Sequence, residues 1–284
     1  MRRLPFFKYQ GLGNDFVVVD LRVARVDLTA EQARRICDRH FGVGADGVLV
    51  LLPADDADFR MLVYNADGSV AEMCGNGIRC VAKHAIDAGI VRGDAVRIAT
   101  GAGVLTCAVH RGADGTVDAV TVDMGRPELE RACIPATGFG RMVREPVRAG
   151  DRTFEVTAVS MGNPHAVIFG EGLADVELAT RYGPLIEHDT ARFPRRTNVE
   201  FATLRDGGID VVVWERGCGI TLACGTGACA TAVAAVTLGL AKAGEEIAVR
   251  LPGGPLAITV EPEFGGVRMR GPAELVFAGE LSLR

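Results

Sequence analysis

Apolar residues fall mostly in short runs: VLVLL at 48 to 52, RMLVY at 60 to 64, then 104 to 109, 117 to 123, 153 to 159, 166 to 169, 198 to 204 and 209 to 214. Runs of this length, closed by Gly, Pro, Asn or Asp, read as strands. Three segments between them read as helices. Thr29 followed by Gln32 forms a capping box that opens a helix running to about His40, where FGVGADG breaks it. A second helix runs from about Asn76 to Ala88 and closes on Gly89. The third, Thr226 to Leu238, is apolar on every face, so strands must wrap it on all sides.

After Met124 the pattern turns irregular, with GRPELE and several prolines, before strand-like runs resume, which places a domain boundary near residue 122. The two halves share landmarks. GND at 13 to 15 and GNP at 162 to 164 are offset by 149, and CGNG at 74 and CGTG at 224 by 150. Asn65 precedes Cys74 by nine residues, as Glu215 precedes Cys224. That is a weak internal repeat. It predicts an α/β (α+β) fold of two pseudo-symmetric domains, each a curled, mostly antiparallel sheet or barrel around a central helix, with the active site in the cleft between them. Cys74 and Cys224 would approach one point from opposite sides.

A chain of 284 residues holds about two ordinary domains, and 48% hydrophobic with 24% charged residues is the composition of a globular protein. A net charge of −5 offers no basic footprint for nucleic acid. The N-terminus meets Lys8, Asn14 and Asp15 before any long apolar stretch, so it does not read as a secretory signal and the expected setting is cytoplasmic. Residues 217 to 241 carry no charge. Glycines crowd the first half of that run and leave about fifteen helical residues, too few for a membrane span. The eight cysteines are then expected to be reduced thiols.

Two of those thiols invite chemistry. A helix N-terminus presents unpaired N–H groups and partial positive charge, which favours thiolate over thiol. Two neighbouring thiolates repel, so a coupled pair would hold one thiolate and one thiol. One base and one acid on opposite faces of an amino acid's α-carbon can invert it. Dipoles of the two helix ends would stabilise the charge that gathers on the carboxylate.

At GNDF (13 to 16), NADGSVAEMCGNGIRC (65 to 80), MGNPHAV (161 to 167), TNVEF (197 to 201) and ERGCGITLACGTGACA (215 to 230) the chain resembles the diaminopimelate epimerases. That resemblance implies conversion of LL-2,6-diaminoheptanedioate to its meso isomer without pyridoxal phosphate or metal, on the route to lysine and peptidoglycan. It implies that Cys74 and Cys224 are catalytic acid and base, and that the N–H groups of Gly75, Asn76, Gly225 and Thr226 hold the reacting carboxylate. It assigns Asn14, Asn65, Asn163, Asn198, Glu215 and Arg216 to the distal end of the substrate, and gives His165 and Glu215 a part in setting the state of the cysteines. It further implies a homodimer, and a C-terminal strand, about 273 to 284, that returns to the first domain. The domains would then be 1 to 122 with 273 to 284, and 123 to 272. Two positions depart from the family's pattern: Gly47, where some relatives carry glutamine, and Ile220, where many carry an acid.

Other readings are weaker. GVGADG (42 to 47) spells G-x-G-x-x-G, but it follows a helix and precedes a strand, the reverse of dinucleotide-binding order. GTGACA (225 to 230) opens a helix with Glu245 and Glu246 beyond it, yet it lies nine residues past the preceding strand. No C-x-x-C pair or ligand-spaced histidine supports zinc or redox chemistry, and a Cys74–Cys224 disulfide would be inactivating damage. Cys37, Cys80, Cys107, Cys133, Cys218 and Cys229 read as packing, and His40, His84, His110 and His188 as structural or surface residues. The alternative substrate on the same fold is proline or hydroxyproline. Phenazine-pathway isomerases share that fold without both cysteines.

Overall fold

The computed structural model describes residues 2–23 and 27–283. They form two compact units, one holding the residues up to Val122 together with those from Arg270 onward, the other spanning Asp123–Met269.

The first unit contains β1 (Arg2–Gly11), β2 (Asn14–Asp20), α1 (Ala30–Cys37), β3 (Gly47–Leu52), β4 (Phe59–Asn65), β5 (Val70–Ala71), α2 (Gly75–Asp87), β6 (Ala95–Thr100), β7 (Gly103–Arg111) and β8 (Val117–Asp123). The second contains β9 (Glu145–Ala149), β10 (Arg152–Ser160), β11 (Pro164–Phe169), α3 (Val176–Glu187), β12 (Asn198–Arg205), β13 (Gly208–Glu215), β14 (Gly219–Ile220), α4 (Gly225–Thr237), β15 (Glu246–Leu251) and β16 (Gly254–Val260). After β17 (Val267–Pro272) comes β18 (Glu274–Leu283), which lies antiparallel to β1 in the first unit.

The units repeat one plan. In the first, β1 and β2 are antiparallel, β2 runs parallel to β3 after α1 crosses over, β3 and β4 are antiparallel, and β4 runs parallel to β6 after α2. In the second, β10 and β11, β11 and β12 across α3, β12 and β13, and β13 and β15 across α4 repeat that succession. The register repeats too, since Phe16 lies beside Gly47 as His165 lies beside Asn198.

A helix that must hide every face needs strands around it, and both central helices have them. In its own unit α2 packs on β1 to β4, β6, β7 and β18, and α4 on β10 to β13, β15 and β16. From Gly227 to Ala235 every residue of α4 is buried. Both helices stop at a glycine in the left-handed region, Gly89 (φ 68°) and Gly239 (φ 70°), where a Cβ would be strained. α4 spans 13 residues, and among the described residues no helix is long and apolar enough to cross a membrane.

Two elements differ from the sequence reading. The Thr29–Gln32 capping box forms as read, but α1 ends at Cys37, because Asp38 turns extended and its carboxylate accepts from the amides of His40 and Phe41. α3 has no counterpart in that reading. Asp175 caps its start, and Pro184 inside its last turn interrupts the helical signal. Its buried Tyr182 packs edge-on against Phe154, which meets Phe201 in the same way.

Candidate active-site residues

The two CG-G motifs fold alike. Cys74 and Cys224 are the N-caps of α2 and α4, and each sulfur accepts the third helical amide, Gly77 or Gly227, at 3.4 Å. The amides of the first helical turn have no intrahelical acceptor. In each unit two of them, at Gly75 and Asn76 and at Gly225 and Thr226, precede the amide taken by sulfur.

In the first unit, Asn14 opens β2 and is held at both ends of its amide. Its Nδ2 donates to Asp46 at 2.7 Å, and its Oδ1 accepts from Asn76 Nδ2 at 3.1 Å and lies 4.0 Å from the Cys74 sulfur. Asp46 also accepts the Asp15 amide and pairs with Arg39. Burial works against the Asp15 carboxylate, but hydrogen bonds from Arg39 and Lys8 outweigh it and pull the pKa down to about 2. Asn65 is placed differently, since it closes the turn after β4, with its Nδ2 donating to Ser69 at 2.9 Å. At Gly47 a Cβ would stand 2.6 Å from the Tyr64 carbonyl oxygen, so the glutamine of some relatives cannot be seated on this backbone.

The second unit gathers more ionisable groups. Cys224 is buried, and Thr226 Oγ1 lies 3.6 Å from its sulfur. The helix-end field was expected to favour thiolate, but at Cys224 burial, followed by the negative charges of Glu215 and Glu200, pushes the thiol's pKa well up. Glu215 sits within hydrogen-bond reach of that thiol and accepts from Thr221 Oγ1 at 2.5 Å, while burial raises its own pKa.

His165 is fully buried on β11. Its Nδ1 lies 2.7 Å from Glu200 Oε1 and its Nε2 2.9 Å from Asn163 Oδ1. Asn163 Nδ2 donates in turn to Thr226 Oγ1 at 3.3 Å. Asn198 donates to the Pro164 carbonyl and accepts the Arg216 amide at 2.8 Å, and the Arg216 guanidinium donates to the Arg195 carbonyl.

Three neighbours of these residues were not singled out from sequence. Glu200 is fully buried beside His165, and its place amid the apolar run VEFATL was the signal. Thr221 bonds Glu215, and Glu187 at the end of α3 accepts the Gly217 amide and the Trp214 indole N–H. Ile220 forms the short β14 pairing with Trp214. Of the cysteines read as packing, Cys37, Cys80, Cys107 and Cys229 are buried, and burial raises Cys37 to about 11 and Cys80 and Cys107 to about 12. Cys133 and Cys218 are exposed, so core packing does not describe them.

Comparison with known proteins places these residues in context. A family model described as diaminopimelate epimerase matches residues 6–130 and 157–276. A diaminopimelate epimerase of Desulforudis audaxviator (strain MP104C) is 51% identical over 280 residues, covering 98% of this chain and 99% of that one. Among solved structures, a phenazine biosynthesis protein of the PhzF family from Bacillus anthracis superposes with a TM-score of 0.73 at 17% identity, covering all of both chains. A probable proline racemase from Agrobacterium radiobacter K84 gives 0.72, also at 17% identity, covering 99% of this chain and 93% of that one. At such identities these two structures establish the shared fold alone.

Proposed function

The chain belongs to the diaminopimelate epimerase family, and we propose that it inverts one α-carbon of LL-2,6-diaminoheptanedioate by passing protons through Cys74 and Cys224, without a cofactor. The activity is that of an isomerase serving lysine biosynthesis. The observation that carries the residue assignment is the equivalence of the two cysteines: each caps the central helix of its unit with its sulfur at the helix end.

The local chemistry gives the two thiols different tasks. Cys224 rests as a thiol, since its burial and the Glu215 carboxylate beside it disfavour a second negative charge. In one direction it delivers a proton to the α-carbon while Cys74 removes one from the other face. In the reverse direction Cys224 must first lose its proton, and Glu215, hydrogen-bonded to the thiol, is the group placed to take it. The substrate's reacting carboxylate is assigned to the first-turn amides of Gly75, Asn76, Gly225 and Thr226, where helix-end dipoles offset the charge of the carbanion. Asn198 fixes the Arg216 backbone, and the Arg216 guanidinium, held at one nitrogen by the Arg195 carbonyl, is assigned to the distal carboxylate. The reduced thiols that this chemistry requires suit a cytoplasmic setting.

Replacing either cysteine with alanine removes the proton carrier for one face. Cys74→Ala and Cys224→Ala are each expected to abolish conversion of the LL to the meso isomer, followed by chiral chromatography. Substantial turnover in either variant would overturn the two-thiol assignment.

A further inference from the structure

Between Cys224 and the interior of its unit runs an unbroken chain of polar contacts that ends on Glu200. Glu200 Oε1 lies 2.7 Å from His165 Nδ1, His165 Nε2 lies 2.9 Å from Asn163 Oδ1, Asn163 Nδ2 donates to Thr226 Oγ1 at 3.3 Å, and Thr226 Oγ1 lies 3.6 Å from Cys224 Sγ. Glu200 and His165 are both 0% exposed, and Glu200 Oε2 has no hydrogen-bond partner among the described residues. At the equivalent positions the first unit carries Phe16 and Leu49: Phe16 lies beside Gly47 on β3, two residues before Leu49, as His165 lies beside Asn198 on β12, two residues before Glu200. The polar pair is therefore not needed to build the fold.

Each link fixes the next. Asn163 turns its amide nitrogen to Thr226, so its oxygen faces His165, and Nε2 must be the donor there. With Nε2 protonated, one further proton must lie between Nδ1 and Glu200 Oε1, giving either a neutral carboxyl on a neutral ring or a carboxylate on an imidazolium. Both forms are net neutral, which is how two buried ionisable groups avoid an uncompensated charge. Because Thr226 Oγ1 accepts from Asn163, its own proton is left to donate to the Cys224 sulfur, a contact that favours thiolate.

We infer that Glu200 is a positioning residue that acts through His165, Asn163 and Thr226 to aim a hydroxyl proton at Cys224, making that sulfur easier to ionise than its burial alone would allow. This rests on the assignment of Cys224 above. The titratable groups facing Cys224 are Glu215 from β13 and Glu200 from β12; as a bare carboxylate Glu200 would push the thiol's pKa up, and His165 of β11 behind it cancels that charge. Burial raises the Glu200 pKa, in keeping with a proton retained in the pair.

The test uses two substitutions, with steady-state kinetics and two readouts that need no substrate, thiol alkylation and histidine NMR. Glu200→Gln can still donate to Nδ1, whereas Glu200→Leu places the residue found at the equivalent position of the other unit. The pH dependence of iodoacetamide alkylation is mapped separately at Cys74 and Cys224 by mass spectrometry. Glu200→Leu should move the Cys224 profile to higher pH and lower kcat roughly tenfold or more at little-changed KM, with the Cys74 profile unmoved. Glu200→Gln should stay near the parent in both. An unmoved Cys224 profile in the leucine variant would overturn the inference, as would a shift to lower pH, which would mark Glu200 as a bare negative charge. A glutamine variant as impaired as the leucine variant would also overturn it.

Should the leucine variant not fold, ¹⁵N NMR of histidine-labelled parent protein decides. His165 Nε2 must be protonated across the active pH range, and a bare Nε2 would refute the chain. The alkylation and NMR readouts stand even if the substrate proves to be another amino acid.

Discussion

Glu187 carries the most demanding prediction. It ends α3 with its side chain only 3% exposed and receives three donors: Trp214 Nε1 at 2.7 Å on Oε2, and the Gly217 amide at 2.9 Å and Arg196 at 3.2 Å on Oε1. Arg216, the residue assigned to the distal carboxylate, lies between the Gly217 anchor and its own amide's bond to Asn198. In Glu187→Gln only one oxygen remains. It keeps most contacts by facing Gly217 and Arg196, which turns the amide nitrogen toward the indole N–H and sets donor against donor. One hydrogen bond to a charged acceptor is lost and the indole N–H left unpaired, a cost of about 2–3 kcal/mol. At roughly 2–4 °C per kcal/mol for a domain of this size, the melting temperature should fall by roughly 4–12 °C. Trp214 is the single tryptophan, so its emission reports the same event directly and should shift to the red. Loosening of the Arg216 segment should raise KM several-fold with kcat nearly unchanged, as expected when binding shared by ground and transition states is weakened. A variant that melts within about 1 °C of the parent with unchanged tryptophan emission would refute this account of the loop.

Other outcomes follow from single contacts. Gly47→Gln drives a Cβ to within 2.6 Å of the Tyr64 carbonyl, so β3 and β4 must separate, and the variant should lose about 1–3 kcal/mol in urea unfolding. Asp15 has its pKa lowered to about 2, so its stabilising contribution is fully present above the unfolded carboxyl value near ~4 and disappears as pH falls toward 2. Asp15→Asn should therefore cost about 1–2 kcal/mol at neutral pH, after allowance for solvent screening, and the gap to the parent should narrow through that window. Burial raises the Glu215 pKa, and Glu215 must be ionised to take the Cys224 proton, so the acidic limb of kcat/KM in the direction that uses Cys224 as base should lie above the ordinary carboxyl range. Glu215→Gln should remove that limb along with most activity in that direction.

Much of this was legible in the residues. The all-apolar segment after CGTG announced a helix enclosed by strands, and α4 is one. The near-constant offset between GND and GNP and between the CG-G motifs announced a duplicated plan, and the parallel pairs β2–β3 and β11–β12 carry it into the register. Pro184 hid α3 because a proline past the first turn lacks the N–H a helix uses and so breaks the sequence signal. Which cysteine holds the proton was not legible, for a physical reason: the helix-end field is visible in a motif, whereas burial and the convergence of Glu200 and Glu215 from different strands are tertiary facts. Asn65 matched the family's motif, and its side chain donates to Ser69 four residues on, a turn contact that the motif does not announce.

The central claim is that one group removes the α-proton and another supplies its replacement. Proton NMR of LL-2,6-diaminoheptanedioate with the reduced protein in heavy water, with no cofactor added, tests it most directly. At early times the meso product should carry solvent deuterium at the inverted carbon, while unreacted substrate keeps its α-proton. Meso product that retains the original proton, or no inversion by protein whose Cys74 and Cys224 are shown to be free thiols, would contradict it.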